Sequence, residues 1–458
     1  MNMKSTIKTI IALSIWFLST LVATPQSAHT GYFSDSNLYQ HTMNPAMGNT
    51  TNYYSLPIVG NNNFSFRGNL ALSDVLYQVN GRTATFMHPT LSSSEVLKNI
   101  KDNNKIGFNT ELQVFSIGFN KFDGYNTISI NMRGNMHLDV PGEMFKLAKE
   151  EITNKTYNIH NLNTHADAYM ELALGHSRQI NEQLRLGGKF KLLLAGGKME
   201  AQLNSAQLVL NEDKWTITSD AQVEASIKGF AYKIELDEET HEPFVSGANI
   251  DGWGLNGGGL AVDLGAVYEV NDTWSFSASI IDLGFINWTN NFLASTNGLK
   301  TFSTDKYIFS VDDDQPNNID DELERLGNDF KSLYRLEVIG NNSFTLKSLA
   351  TTINLGASYS LPTYTQLKLG LLNSNHIQKN FSWSDVRASA NWTYSHFLST
   401  SLSAAYGTFG GSIGWMINFH PTWFNLYVAM DKPTGKLTKQ YIPLSGAGTF
   451  HVGLNIPF

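Results

Sequence analysis

The sequence predicts an all-β chain that closes into an antiparallel transmembrane β-barrel of the outer-membrane type. About fourteen strands are expected, with about sixteen as the alternative. Three observations carry this. The first segment reads as a secretory leader. Strand-length segments alternate large apolar with small polar residues. No later stretch offers the roughly 18 consecutive apolar residues of a membrane helix. A chain that enters a membrane without such helices must close its sheet, because an open edge leaves backbone groups unpaired in lipid.

Composition agrees. Charged residues make up 16% of the chain, below the roughly 25% of soluble proteins. Aromatics reach 12%, and there are 37 glycines. The absence of cysteine excludes disulfides, thiolate metal sites, cysteine nucleophiles and a lipidated cysteine. A net charge of -8 with no basic block argues against nucleic acid as a partner.

Lys4 and Lys8 precede an apolar core from Ile10 to Val22, followed by small residues at Ala23 and Ala28. Residues 1–28 are therefore expected to be a signal peptide. A membrane anchor is the alternative, and it would need a longer core, about 20 residues. Residues 29–105 are read as an N-terminal plug segment with the first strand, and 106–458 as the barrel. Candidate strands follow at 110–119, 126–138, 166–176, 183–195, 200–210 and 214–223. A hairpin spans 257–283 and turns at Asn271–Asp272. Short helical inserts are expected at Ser93–Lys101, at Pro141–Glu151, where proline suits the first turn, and at Asp320–Leu336.

The last third alternates most clearly. Ile353, Leu355, Ala357 and Tyr359 interleave with Asn354, Gly356 and Ser358. The same holds for Leu367–Leu371, Val386–Tyr394 and Ile413–Phe419. A soluble sandwich or propeller, the alternative, would carry Lys, Glu and Thr on its polar face. Gly, Ser and Asn suit a crowded lumen. Trp274, Trp288, Trp383, Trp392, Tyr394, Trp415, Trp423 and Tyr427 fall near strand ends. They are candidates for the aromatic girdles of a barrel, or for core packing. The final strand places Phe450, Val452, Leu454, Ile456 and Phe458 on one face. That is the pattern read by the barrel-assembly machinery, and the strand must pair with the first to remove the sheet edges.

If the apolar parity faces lipid, the lumen receives Arg133, Glu171, Arg185, Asp263, Glu269 and Arg387. Asp167, Lys189, Lys191 and Lys368 join them. Mixed signs imply a salt-bridged filling, with a path for a polar solute as the alternative. Asp282 falls on the apolar parity, so a bulge or the strand end is expected there, and Gly265 and Gly284 fit such a bend.

Other chemistry is sparse. His160 and His165 are poorly spaced for a metal, and no metal or other cofactor is expected. Ser395, His396 and His420 are the nearest thing to a hydrolase set, and the chain is not expected to be an enzyme. Asp312, Asp313, Asp314, Asp320, Asp321, Glu322 and Glu324 lack the glycine and spacing of a calcium loop. They read as a solvated loop, with calcium as the alternative.

The N-terminal run Tyr39-Gln40-His41-Thr42-Met43-Asn44-Pro45-Ala46 continues to Tyr54-Ser55-Leu56-Pro57. Later come Gly259–Tyr268 and Ile281–Trp288, each with an Asp-Leu-Gly element. This set resembles, over nearly the whole mature chain, a domain-of-unknown-function family of outer-membrane barrels from Bacteroidota. The Asn-Pro-Ala element is also similar to FadL-like fatty-acid transporters and to the shuttle barrel of type IX secretion. The resemblance implies a fourteen-stranded barrel with a plug built around Asn44, Pro45 and Ala46. It implies transport of a hydrophobic or small solute across the cell outer membrane. The alternative is a structural barrel that binds envelope protein partners, such as a secretion or barrel-insertion complex. Expected contacts are outer-membrane lipid and, during insertion, the assembly machinery.

Overall fold

The computed structural model describes residues 29–458 apart from 71, 80–81, 89, 150–153, 212–213, 237–240, 242, 306–335 and 434–445. The leader 1–28, the acidic run 312–324 and the helix expected at 320–336 fall outside the described residues, except Leu336.

Period-two alternation builds a closed antiparallel wall of 14 strands. In chain order these are β1 (Tyr53–Ser55, resuming at Asn62–Gly68), β2 (Asn103–Lys121), β3 (Gly124–Pro141), β4 (Lys155–Gln179) and β5 (Leu184–Leu210). Then come β6 (Lys214–Ile227, resuming at Gly257–Glu269), β7 (Trp274–Ser295) and β8 (Glu337–Ser348, resuming at Thr351–Ser360). The wall finishes with β9 (Leu367–Ile377), β10 (Trp383–Ser395), β11 (Leu398–Gly407), β12 (Gly410–Phe419), β13 (Asn425–Pro433) and β14 (Gly446–Pro457). Strand β14 pairs with both pieces of β1, Tyr54 opposite Ile456 and Phe64 opposite Phe450, and this closes the barrel. At one end the strands are joined by turns of two to six residues. The longer connections lie at the other end, the asymmetry usual in outer-membrane barrels.

The two faces are chemically opposite. Leu355, Leu371, Val386, Leu402, Ile413 and Ile417 are exposed on the outside, while Asn354, Ser374, Ser401, Ser403 and Asn418 are buried inside. Trp274, Trp392, Tyr394 and Trp423 are exposed near the turn end, as a girdle requires. Trp288, Trp383 and Tyr427 depart from that expectation. They are buried, because each lies on the inward parity. Trp383 lies 3.6 Å beneath the Arg67 guanidinium.

Two expected strands, 183–195 and 200–210, are a single strand, β5. The interruption lies in its neighbour instead. β6 leaves the wall after Ile227, opposite Gly197, and resumes opposite Leu194. The excursion forms a lateral hairpin of Phe230–Leu236 with Pro243–Ile250. Buried Asn256 fills the gap in the wall. Its N–H donates to the Ala195 carbonyl at 2.7 Å, and its carbonyl accepts from Thr289 N at 3.0 Å. Its amide donates to the Thr289 carbonyl at 2.6 Å and accepts from Asn290 Nδ2 at 2.8 Å. Asn256→Ala keeps the two backbone bonds but strips the Thr289 carbonyl and Asn290 Nδ2 of their side-chain partner. It is expected to lower the unfolding free energy by about 1–3 kcal/mol, read as a lower denaturant midpoint. An unchanged midpoint would show that the patch carries no stability.

Beyond the wall, the loop-end extensions of β4, β5 and β6 carry a small core of Tyr157, Ile159, Leu208, Leu210 and Ile217. Met144 and Leu147 of helix Gly142–Lys149 pack against it. Helix Ser93–Leu97 begins at Ser92, whose side chain accepts from Glu95 N, the N-cap bond expected of serine.

Candidate functional site: the plugged lumen

Residues 29–50 fold inside the turn-end part of the barrel as short 3-10 turns, His29–Gly31 and Gln40–Thr42 among them. Tyr32, Asn44 and Ala46 are fully buried. Asn44 is the organising residue. Its Oδ1 accepts from Ala46 N at 3.0 Å, the side-chain turn that asparagine favours. Its Nδ2 points at the Ala266 and Ala278 carbonyls and at the Tyr32 hydroxyl, each at 3.3 Å. The Met43 carbonyl accepts from Ser279 at 2.7 Å and from Asn354 at 3.1 Å. A Cβ on Gly265 would collide with Asn44 Oδ1, and one on Gly187 with the Pro45 carbonyl. These two inward glycines make the seat for Asn-Pro-Ala.

The plug is tied around much of the circumference. Thr30 bonds Ser403 at 2.8 Å and accepts from Arg387 at 3.0 Å. Tyr39 donates to Gln113 at 2.9 Å and also reaches Asn455. Asn418 donates to the Ser36 carbonyl at 2.7 Å. Burial and the nearby Lys189 hold the His41 imidazole well below its ordinary pKa. It shares a 3.0 Å hydrogen bond with the Tyr53 hydroxyl.

Charge clusters sit at mid-lumen. Arg133 meets Asp282 at 2.7 Å, Glu171 at 3.1 Å and Glu111 at 3.7 Å. Lys191 meets Asp263 at 2.8 Å, Glu171 at 3.6 Å and also Asp282. Two cations thus face four carboxylates. Asp282 joins them because β7 bulges opposite Asp263, with Asp282 at a φ of 63°. That places it inward despite its parity, as its sequence position required.

Toward the loop end lies a cavity of about 610 Å³ whose floor includes Thr42 and Met43 of the plug. Its wall carries many charged and amide side chains. His165 lies between Asp167 at 2.6 Å and Glu200 at 3.0 Å. Lys347 meets Glu200 at 3.0 Å and Glu224 at 3.3 Å, and Lys198 meets Glu224 at 2.8 Å. Asn63, Asn109, Asn135 and Asn163 add amides. Among the described residues, no group of three His, Asp or Glu side chains is placed to hold a metal ion.

Most residues singled out on lumen parity meet at these clusters. Arg133, Glu171 and Asp263 share the central network, and Arg387 pairs with Asp431 at 2.9 Å. Arg185 sits at the turn-end mouth, donating to the Gly48 carbonyl at 3.3 Å. Glu269 has the inward parity but ends its strand, so it is exposed. Gly265, read as part of a bend, instead makes room for the plug. Lys198, Glu200, Glu224 and Lys347 escaped the sequence reading. Their strands run past the ordinary wall length, where parity resets at bulges such as Ala168/Tyr169 and Leu203/Ser205. Val452, Leu454 and Ile456 face outward and half-exposed, and Phe458 is exposed.

The sequence profile of a family of unknown function, DUF5723, matches residues 45–431. No curated protein matches the chain. Among solved structures, the chain is similar to the Pseudomonas putida toluene transporter TodX, at 7% identity and TM-score 0.38, covering 95% of this chain and 93% of that one. It is similar to a Pseudomonas aeruginosa FadL homologue at 8% identity and TM-score 0.38, covering 96% and 99%. The KdgM porin matches at 8% identity and TM-score 0.24, covering 66% and 99%. Since the profile spans most of its length, the chain belongs to the DUF5723 family.

Proposed function

We propose that the chain is an outer-membrane transport barrel that receives a small polar solute in its loop-end cavity and holds it above the plug. The cavity itself carries the reading. Its volume lies in the range of small-molecule sites, and its wall offers cations, carboxylates, imidazoles and amides together. An apolar cargo such as toluene would have to strip water from polar groups of the wall such as Lys347, whose side chain is 38% exposed, without replacing the lost hydrogen bonds, which is unfavourable. The exposed apolar belt and the asymmetric turns support placement in an outer membrane.

The test is permeation into proteoliposomes. Amino acids and small sugars are expected to enter faster than into protein-free vesicles. Lys347→Met with Glu200→Gln should slow at least one solute class several-fold. Binding of monoaromatic compounds with no entry of any polar solute would sink the reading. The filled lumen below the cavity favours one other reading, a structural barrel for envelope partners. Stoichiometric retention of one envelope protein on gentle extraction, with no permeation, would establish it.

A further inference from the structure

The lateral hairpin leaves the wall at a definite height. Gly258, where β6 resumes, pairs with Leu194 of β5, ten residues above the strand start at Leu184. At ~3.3 Å per residue and a tilt of ~40°, that is about 25 Å from the turn end, the height of the apolar band of such barrels. The hairpin packs on the outside. Glu224 and Asn291 point inward and are buried, so their neighbours Val223 and Phe292 face out. Phe230 packs against Phe292 with tilted rings and centroids 5.6 Å apart, and Tyr232 donates to the Val223 carbonyl at 3.0 Å.

The loop that returns from the hairpin is tethered yet greasy. Asp251 N donates to the Gly229 carbonyl at 2.8 Å, and Asn256 anchors the far end. Between them Trp253 is 92% exposed and Leu255 59%, and Ile250 just before them is 58% exposed. Glycines at positive φ, Gly252 at 108° and Gly254 at 157°, flank Trp253 and turn it outward. Lys228 lies alongside Gly254. The patch continues the outer belt, because Leu192, Met199, Phe285 and Leu346 are exposed on neighbouring strands. An indole with an adjacent ammonium suits the headgroup zone, where aromatic rings and snorkelling lysines collect.

We infer that the Ile250–Leu255 loop is a membrane-surface anchor. Trp253 and Leu255 enter the boundary between headgroups and acyl chains of the loop-end leaflet, and Lys228 faces the headgroup phosphates. The lipid then covers the break in β6 and holds the hairpin against the wall. This rests on the outer-membrane placement, but not on what is transported.

The chain has no cysteine, so Trp253→Cys in the full chain offers one site for a nitroxide label after reconstitution into phosphatidylcholine vesicles containing phosphatidylglycerol. Leu402→Cys, at mid-belt, and Lys98→Cys, exposed just past the helix Ser93–Leu97, serve as lipid and water references. Leu255→Cys replaces Trp253→Cys if that variant does not fold. The label at 253 is expected to collide more with oxygen than with a water-soluble nickel chelate, at a depth shallower than the label at 402. A label at 253 that behaves as the one at 98, with 402 in lipid, overturns the anchor and leaves the barrel in the membrane. Labels at both 253 and 402 in water overturn the membrane placement and the anchor with it.

Discussion

Lys191→Ala is expected to destabilise the barrel by about 3–5 kcal/mol, the cost of removing one partner from a buried ion pair. Lys191 is 1% exposed and serves Asp263, Glu171 and Asp282 together. Without it, the four carboxylates keep only Arg133 in direct ion pairs, with Lys189 nearby, in a space that water enters poorly. Unfolding in guanidinium, followed by loss of the compact species on unheated gels, measures the cost. A loss below about 1 kcal/mol, the figure for exposed pairs, would show that the network is solvated. Pairing Lys191→Met with Asp263→Leu should recover part of the stability, because charge and countercharge leave together. The coupling between the two sites then follows from a double-mutant cycle.

Gly265→Val is expected to unseat the plug while leaving the wall closed. The added side chain would occupy the place of Asn44 Oδ1, and overpacking of this kind costs about 1–3 kcal/mol. Charged against the seated plug alone, that cost raises the unseated population about five- to 150-fold. Permeation of small polar solutes into proteoliposomes should rise accordingly. Gly187→Val, which would meet the Pro45 carbonyl, should act alike. Unchanged permeation in both variants, with protease access showing the plug displaced, would mean that the plug is not what closes the lumen.

These two predictions rest on different kinds of legibility. Alternation in the C-terminal third is local, so strands such as β10 and β12 could be read directly, as could the bulge or strand end demanded by Asp282. Parity likewise singled out Arg133, Glu171, Asp263 and Arg387. The Asn-Pro-Ala element marked the plug through resemblance, and its chemistry explains the mark. Asparagine can cap its own turn while its amide reaches the backbone of the wall.

The sequence by itself determined the closed antiparallel β-barrel class, the two faces of its wall and the residue types that fill the lumen. These follow from period and composition, which are properties of neighbours in the chain. Only the tertiary structure decided which charges meet, that Gly187 and Gly265 form the plug's seat, and that Trp288, Trp383 and Tyr427 turn inward. It alone showed that β6 opens to release a hairpin. Each of these depends on register between distant strands, where a single bulge shifts every later side chain to the opposite face. Partners such as Lys191 and Asp282, or Arg387 and Asp431, are brought together by closure of the sheet, which no local pattern encodes.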